Sequence, residues 1–246
     1  MKRLILMIQF LTRIPILVQL DVDEKDFLEG VIYFPLVGLV IGMFVLSFYH
    51  LGNWLGGPFA AAVLAVAIEV FITGGLHLDG LGDTFDGIYS NRPKDRVLEI
   101  MKDSRLGTNA ALAILLTLLL KVAFISSISI SKAGGILLLM PVFSRFSLVF
   151  ASRYAKYARS NGMGNLYIGK VNNRQLLMAG IMTLLFSLVT SWSILFLPIV
   201  CIFSLLYIRH ITGKIDGMTG DTLGALCELA ELVYLFYHLV VFNIVR

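Results

Sequence analysis

The chain has 246 residues, of which 58% are hydrophobic and 15% charged, and its net charge is +4. Soluble domains are typically about half apolar and a quarter charged, so this composition excludes an ordinary water-soluble fold. The mean hydropathy of +0.86 arises from repeated apolar runs, each long enough to cross the hydrocarbon core as a helix. A basic balance is typical of the cytoplasmic loops of membrane proteins, so we expect no nucleic-acid partner.

The first predicted element is a helix from Leu4 to about Ile14 that lies in the membrane interface or enters it partway, and that ends before Pro15. Apolar runs then predict spans at about 31–51, 57–76, 107–131, 134–152, 175–191, 193–210 and 222–244. The sequence therefore predicts an all-α, polytopic transmembrane bundle with about seven spans plus an N-terminal interfacial helix. We interpret residues 1–246 as one membrane domain.

Basic residues mark one side of the predicted bundle. Of the 20 Lys and Arg residues, 16 fall on that side when Arg209 at its membrane edge is included. The segments on that side are 1–30, 77–106, 153–174 and 211–221. The positive-inside rule makes this side cytoplasmic and predicts a multi-pass protein of the inner cell membrane. Lys121 and Arg145 fall within spans, where we expect them to reach the interface or to line a cavity.

The densest polar segment runs from Thr73 to Asn109, directly after the second predicted span. Asp79, Asp83 and Asp86 occur in it at i, i+4 and i+7, which places all three carboxylates on one face of a helix. Such like charges repel each other unless a cation binds them, and Mg²⁺ prefers oxygen ligands. The pattern predicts a metal site, and the alternative is a helix face solvated by water.

Other polar residues near this segment have two interpretations each. His77 is either a general base or a histidine hydrogen-bonded at the membrane edge. Glu69 lies inside the second span, where a carboxylate is costly, so we expect it to face a partner or a substrate path. Lys102 and Arg105 either neutralise phosphate oxygens or are ordinary charges flanking a span.

A second acidic cluster leads into the last span. Asp221, Glu228 and Glu231 repeat at i, i+7 and i+10, close to one helical stripe. Because carboxylates inside a span need a counter-charge, we expect them to pair with a metal or with basic side chains. Asp216 lies in a glycine-containing loop that suits phosphate contact, although a simple turn would have the same composition.

A basic patch lies between the two acidic clusters. Arg153, Lys156 and Arg159 are spaced at i, i+3 and i+6. Such a patch binds either anionic lipid head groups or an anionic substrate, and the sequence leaves both open.

Five segments in this chain resemble one known family. They are FLTRIP at 10–15, YFPLVG at 33–38, GGLHLDGLGDTFDG, EIMKDSRLGTN and TGDTLGALCELAEL. In this order they are similar to cobalamin synthase, the adenosylcobinamide-GDP ribazoletransferase family of vitamin B12 biosynthesis. One departure is Asn109, where the family pattern commonly has an aromatic residue.

The resemblance implies a Mg²⁺-dependent membrane enzyme that joins α-ribazole, or its 5′-phosphate, to adenosylcobinamide-GDP with release of GMP. Our mechanistic hypothesis takes as metal ligands Asp79, Asp83, Asp86, Asp221 and Glu228. It takes as catalytic residues His77, Asp83, Lys102 and Arg105. Substrate contacts are expected from Glu69, Arg13, Arg153, Arg159 and Asp216. The lipid bilayer is the other expected partner, and association into a homo-oligomer stays open.

Two rival functions remain at this stage. A CDP-alcohol phosphotransferase also uses spaced aspartates and a divalent metal, but Asp79-Gly80 lacks the arginine that follows in that pattern. A seven-span transporter would use Glu69, Glu228 and Glu231 to line a path. A transporter needs polar sites on both faces, whereas the predicted far-side loops are nearly featureless.

Overall fold

The computed structural model describes the backbone of residues 1–244, and within them it contains helices and no β-strand. The predicted all-α membrane class is confirmed. The α-helices are α1 (Lys2–Leu11), α2 (Glu24–Gly30), α3 (Phe34–Thr73), α4 (Leu76–Ile88), α5 (Lys94–Ile100), α6 (Thr108–Ser127), α7 (Ile130–Tyr154), α8 (Asn173–Ser187), α9 (Phe196–Ile215) and α10 (Gly220–Ile244).

Helix α1 is the predicted N-terminal helix. It buries Leu6, Met7 and Leu11 and leaves other faces accessible, which is the pattern of an amphipathic helix. The helix ends at Leu11, where the next residue, Thr12, has an extended backbone, so it stops short of the predicted end at Ile14 and ahead of Pro15. The chain that follows α1 contacts the end of α3, where the Arg13 N–H donates to the Ile72 carbonyl. This contact places Arg13 beside the end of α3, close to the start of α4.

Helix α3 is a hairpin of two helical arms. Its backbone leaves helical geometry at Gly56 and Gly57, and Gly57 has a φ of 77° that favours glycine. A Cβ added at Gly52 would lie 2.6 Å from the Ala60 carbonyl oxygen, so the chain doubles back at this turn. The first two predicted spans, 31–51 and 57–76, therefore correspond to the two arms of α3. The second arm ends at Thr73 because Gly74 and Gly75 both take left-handed conformations.

Five helical stretches of the described chain are long and apolar enough to cross a membrane. They are Glu24–Thr73, Thr108–Ser127, Ile130–Tyr154, Trp192–Ile215 and Gly220–Val241. The first of them contains both arms of α3. Helix α8, which falls in the fifth predicted span, has 15 residues. At about 1.5 Å per residue it is shorter than the roughly 30 Å of a hydrocarbon core.

Helix α7 forms the centre of the bundle and is the most buried of these five stretches. Phe143 and Tyr234 of α10 stack at 5.3 Å between ring centroids, and Phe196 of α9 packs edge-on against both. Close helix packing through small residues and aromatic rings is typical of membrane bundles. These contacts fix α7, α9 and α10 relative to one another.

Candidate active site

Helix α4 carries the predicted aspartates beside the end of α3. It begins at Leu76 after the two left-handed glycines, which turn the chain sharply out of the α3 direction. Asp79 is exposed, whereas Asp83 is partly buried one turn later on the same face. Within residues 1–244, neither carboxylate accepts a hydrogen bond or forms an ion pair with a protein cation. Both therefore keep oxygen atoms available to a ligand.

The last helix brings a third carboxylate to this face. A Cβ added at Gly80 would lie 2.7 Å from the Asp221 carbonyl oxygen, and one at Gly224 would lie 3.2 Å from the His77 carbonyl oxygen. The lack of a side chain at Gly80 allows the backbones of α4 and α10 to approach this closely. Asp221 consequently stands beside Asp79 and Asp83, although it is more than 130 positions away in the chain.

The close carboxylates repel each other. Burial and the negative charges of Asp221, Asp79 and Asp86 together raise the pKa of Asp83 to about 7, against the opposing charge of Arg159. Asp221 itself forms an ion pair of 2.9 Å with Arg159. The site therefore has an excess of negative charge that a bound cation would relieve.

The three aspartates of α4 line an open cavity of about 460 Å³, which we call the charged cleft. Its charged lining residues are Asp79, Asp83, Asp86, Lys102, Asp103, Arg105 and Arg159. Lys102 and Arg105 belong to the loop before α6, so the structure brings both predicted cations to the cleft. Arg105 is held in a two-pronged contact by Asp103, which lowers the pKa of Asp103 to about 2.

Asp86 has a structural role at the edge of the charged cleft. Its Oδ2 accepts from the Gly107 N–H at 2.7 Å and its Oδ1 from the Ala110 N–H at 2.9 Å. These are unpaired N–H groups at the start of α6, where the helix dipole also favours a negative charge. Asp86 therefore anchors the loop that carries Lys102 and Arg105, a contact that the predicted metal role did not include.

Arg159 reaches the charged cleft because two distant loops are joined at their backbones. The Ala158 N–H donates to the Met218 carbonyl at 2.9 Å, and the Met218 N–H donates to the Lys156 carbonyl at 2.7 Å. A Cβ added at Gly217 would overlap this segment, so glycine is required there. Arg159 Nε is buried and has no hydrogen-bond partner among the described residues. It is thus available to an anionic ligand.

Three other predicted substrate contacts lie outside the charged cleft. Arg153 donates to the Asn173 side chain at 2.8 Å and lies over the Tyr154 ring, at the start of α8. Asp216 forms an exposed ion pair with Lys94 at 3.1 Å. Arg13 lines a neighbouring cavity of about 560 Å³ that also reaches Asp79, so it stays near the site but on its other side.

Glu69 and Glu228 belong to a buried ion network inside the membrane rather than to the charged cleft. Lys121 Nζ donates to Glu69 at 3.1 Å and to Glu228 at 2.8 Å, and it also contacts Glu231. Arg145 pairs with Glu231 from the other side. We call these five residues the membrane ion network. Glu228 was expected to bind metal and Glu69 to meet substrate, but both are engaged by Lys121 because an apolar interior requires a nearby counter-charge.

His77 connects the membrane ion network with the aspartates of α4. Arg145 Nη2 lies 3.4 Å from His77 Nδ1, and the imidazole is 4% exposed. Burial, and then the positive charge of Arg145, lowers the pKa of His77 to about 3. A neutral histidine whose Nδ1 faces a guanidinium carries its proton on Nε2 and is a weak base. The structure therefore favours a hydrogen-bonding role for His77 over the predicted base.

Sequence reasoning did not assign Arg145 and Glu231 a role at the site. Both are almost fully buried, with 1% and 0% of their surfaces exposed. The sequence feature that could have indicated their role is a cation within an apolar run, together with acidic residues in the last span. Their pairing could not be read from the sequence, because 86 positions separate them.

The charged cleft suits Mg²⁺ when the ion is shared with a substrate. No group of three His, Cys, Asp or Glu side chains within the described residues has an arrangement that would hold a metal by itself. Mg²⁺, however, is commonly bound by one or two carboxylates together with substrate phosphates. Asp79 and Asp83 provide two such carboxylates, and Lys102 and Arg159 flank them.

Together these features define a multi-pass helical membrane protein with a carboxylate cleft flanked by cations, the kind of site that handles phosphorylated substrates. Residues 3–239 match the family described as CobS, cobalamin-5-phosphate synthase. The chain belongs to this family, so the resemblance seen in the sequence motifs is confirmed.

Relatives in three bacteria carry the name adenosylcobinamide-GDP ribazoletransferase. The relative from Alkaliphilus metalliredigens is 46% identical, over 98% of this chain and 96% of its own length. That from Clostridioides difficile is 45% identical, over 96% of each chain. That from Acetivibrio thermocellus is 40% identical, again over 96% of each chain. No solved structure matches this chain.

Proposed function

We propose that this protein is an adenosylcobinamide-GDP ribazoletransferase. One observation carries the proposal, namely that relatives with this name are 40–46% identical to the chain over nearly its whole length. The geometry supports it independently, because the charged cleft combines unpaired carboxylates with flanking cations. That combination suits a diphosphate substrate whose charge must be neutralised during transfer.

In the proposed reaction, a ribose hydroxyl oxygen of α-ribazole forms a bond to the corrinoid-side phosphorus of the diphosphate. The bond from that phosphorus to the bridging oxygen breaks, and GMP leaves with that oxygen and its electron pair. The hydroxyl proton passes to solvent in the open cleft. Such a transfer requires in-line positioning and charge neutralisation more than covalent participation by the protein.

We propose that Asp79 and Asp83 hold Mg²⁺ against the diphosphate, with Asp221 oriented beside them by Arg159. Mg²⁺ bound there supplies neutralisation of the phosphate charge. Arg159 offers its unpaired Nε to a phosphate oxygen, and Lys102 contacts the leaving GMP. Asp86 positions the loop that bears Lys102, so it acts through that residue.

The membrane location is part of the proposal. The apolar stretches are long enough to span a bilayer, and 16 of the 20 basic residues fall in the predicted segments on the side of the charged cleft or at its edge. We propose an inner-membrane protein with the cleft facing the cytoplasm. Nothing supports the transporter alternative, because Lys121 and Arg145 neutralise the carboxylates that were expected to line its path.

The proposal is tested with purified protein in nanodiscs, supplied with adenosylcobinamide-GDP, α-ribazole and Mg²⁺. We expect GMP and a new corrinoid to appear in equal amounts, and chelation of the metal to stop both. Asp79→Asn and Asp83→Asn should each lower kcat by at least about 100-fold, because a charge-neutralising contact is lost. Asp95→Asn is the matched control, since Asp95 is exposed on α5 outside the cleft.

Two results would contradict the proposal. Wild-type protein that forms no GMP from both substrates would exclude the activity. Full activity of Asp79→Asn and Asp83→Asn at an unchanged Mg²⁺ requirement would exclude the assigned metal site while leaving the activity intact.

A further inference from the structure

A smaller cavity borders the charged cleft at Asp79, which lines both. Its volume is about 180 Å³, and most of its lining is apolar. Its apolar and aromatic lining residues include Phe10, Leu11, Leu76, Leu148, Tyr167 and Leu223. We call it the apolar cavity. Its remaining wall includes Asp221 and Asp79, and Asp79 is the carboxylate that it shares with the charged cleft.

The two cavities differ in chemistry as well as in position. The charged cleft is lined by aspartates, Lys102 and Arg159, whereas the apolar cavity has an aromatic wall. In that wall Phe10 and Tyr167 meet edge to face, with 6.3 Å between ring centroids. A cavity with an apolar body and a few polar groups is typical of sites for small aromatic molecules. His77 supplies one polar group at the wall.

The volume of the apolar cavity limits which part of a substrate it can bind. The apolar cavity is smaller than the roughly 300–1,000 Å³ of sites for drug-sized ligands. A corrin macrocycle does not fit such a volume, and a diphosphate does not suit an apolar wall. A flat bicyclic heterocycle matches both the volume and the apolar lining of the cavity. Among the substrates of the proposed reaction, only the acceptor nucleoside carries such a base with apolar substituents.

We propose that the apolar cavity binds the aromatic base of the acceptor nucleoside. This inference rests on the proposed function, since that function supplies the nucleoside. With the base in the cavity, the attached ribose lies at Asp79, which lines both cavities. The acceptor hydroxyl in one cavity and the diphosphate in the other then meet at Asp79, where the two cavities adjoin.

Leu148 of α7 offers the sharpest test because its side chain is buried and lines the apolar cavity alone. Leu148→Phe fills the cavity, and Leu148→Ala enlarges it. We expect Leu148→Phe to raise KM for α-ribazole by about tenfold or more while KM for adenosylcobinamide-GDP changes by less than about twofold. Leu148→Ala should improve relative kcat/KM for a nucleoside with a bulkier base.

The matched control is Leu116→Phe, since Leu116 is exposed on α6 and lines neither cavity. It should leave both KM values unchanged. Size-exclusion profiles establish that each variant is folded. If Leu148→Phe does not fold, the base preference of Leu148→Ala is the result that tests the proposed base site.

Equilibrium binding separates this proposal from the proposed function. Calorimetric titration with α-ribazole alone, in the absence of the corrinoid, should give weaker binding to Leu148→Phe than to wild type. Wild-type protein that binds α-ribazole but forms no GMP would refute the activity and leave the base site standing. Equal binding by folded Leu148→Phe and wild type, or an unchanged base preference in Leu148→Ala, would overturn the base site.

Discussion

Three aspartates of one helix face have three different surroundings. Asp79 is exposed, Asp83 is partly buried with a pKa raised to about 7, and Asp86 is fixed by two backbone N–H groups. Aspartates about two turns apart on α4 therefore have two different roles. Asp79 and Asp83 offer free carboxylates to a ligand, whereas Asp86 holds the neighbouring loop in place.

The anchoring role of Asp86 gives a residue-scale prediction. Asp86→Ala removes both acceptors from the start of α6, and we expect it to lower the free energy of unfolding by about 1–2 kcal/mol. Asp86→Asn keeps one acceptor oxygen and should retain roughly half of that energy. Thermal unfolding in detergent measures the stability, and product formation over a Mg²⁺ titration measures the metal requirement.

Asp95→Ala provides the comparison, because Asp95 lies exposed in the first turn of α5 without a comparable contact to another helix. If Asp86 anchors the loop, Asp86→Asn should be less stable than wild type and should have an unchanged Mg²⁺ requirement. A Mg²⁺ requirement shifted as strongly as in Asp83→Asn would instead make Asp86 a direct metal ligand.

The sequence predicts the shared face of these aspartates but not their partners. Spacing of i, i+4 and i+7 is a local property, so Asp79, Asp83 and Asp86 could be grouped from the sequence alone. Whether a carboxylate meets a helix start or a guanidinium depends on contacts between distant segments. For that reason the pattern assigned Asp86 to the metal together with its neighbours, although Gly107 and Ala110 occupy its oxygens.

At the scale of elements, hydropathy located the apolar helices well. The helices α6, α7, α9 and α10 all overlap predicted spans, and both arms of α3 do as well. The fifth predicted span corresponds to α8, whose 15 residues are short for a crossing. Hydropathy reports the apolar length of a segment, whereas the end of a helix depends on turn chemistry and tertiary contact.

The packing of α3 against α7 depends on glycines that hydropathy does not reveal. Gly38 and Gly42 are one turn apart on α3, and an added Cβ at either would overlap the backbone of α7 at Pro141 or Leu138. Backbone atoms cannot move aside as a flexible side chain can. Small residues that let two helices approach closely are a common device in membrane bundles.

Gly42→Ala should therefore separate α3 from α7. We expect it to lower the free energy of unfolding by about 1–3 kcal/mol, the range for overpacking a close contact. Gly134→Ala is the matched control, because a Cβ on this α7 glycine meets no atom within 4 Å. It should stabilise the protein by up to about 1 kcal/mol through helix propensity. Thermal unfolding in one detergent compares the two, and equal behaviour would contradict the close-packing role.

At the scale of the whole molecule, buried charge joins the membrane interior to the site. The membrane ion network draws residues from α3, α6, α7 and α10, and Arg145 extends it to His77 on α4. The sequence indicated that acidic groups inside a span require basic partners or a metal. It did not identify Lys121 as their common partner, because Glu69 and Glu228 are 52 and 107 positions away.

Lys121→Met tests this network. The substitution leaves three buried carboxylates with Arg145 as their remaining cation in the network, and breaking such a pair typically costs about 3–5 kcal/mol. We expect a correspondingly large fall in thermal stability, together with a lower kcat, because Arg145 would reorient toward the unpaired carboxylates and release His77. Lys170→Met is the matched control, since Lys170 is exposed outside the membrane spans.

A second substitution separates lost charge pairing from lost packing. The Lys121→Met/Glu228→Gln double variant removes one cation and one carboxylate together, so it should recover part of the stability that Lys121→Met loses. If packing of the Lys121 side chain were the cause, Glu228→Gln would give no recovery in the double variant. Stability of Lys121→Met equal to that of Lys170→Met would show that the network is not needed to hold the helices together. Recovery of kcat along with stability would connect the interior charges to the geometry of α4, because His77 is the contact between them.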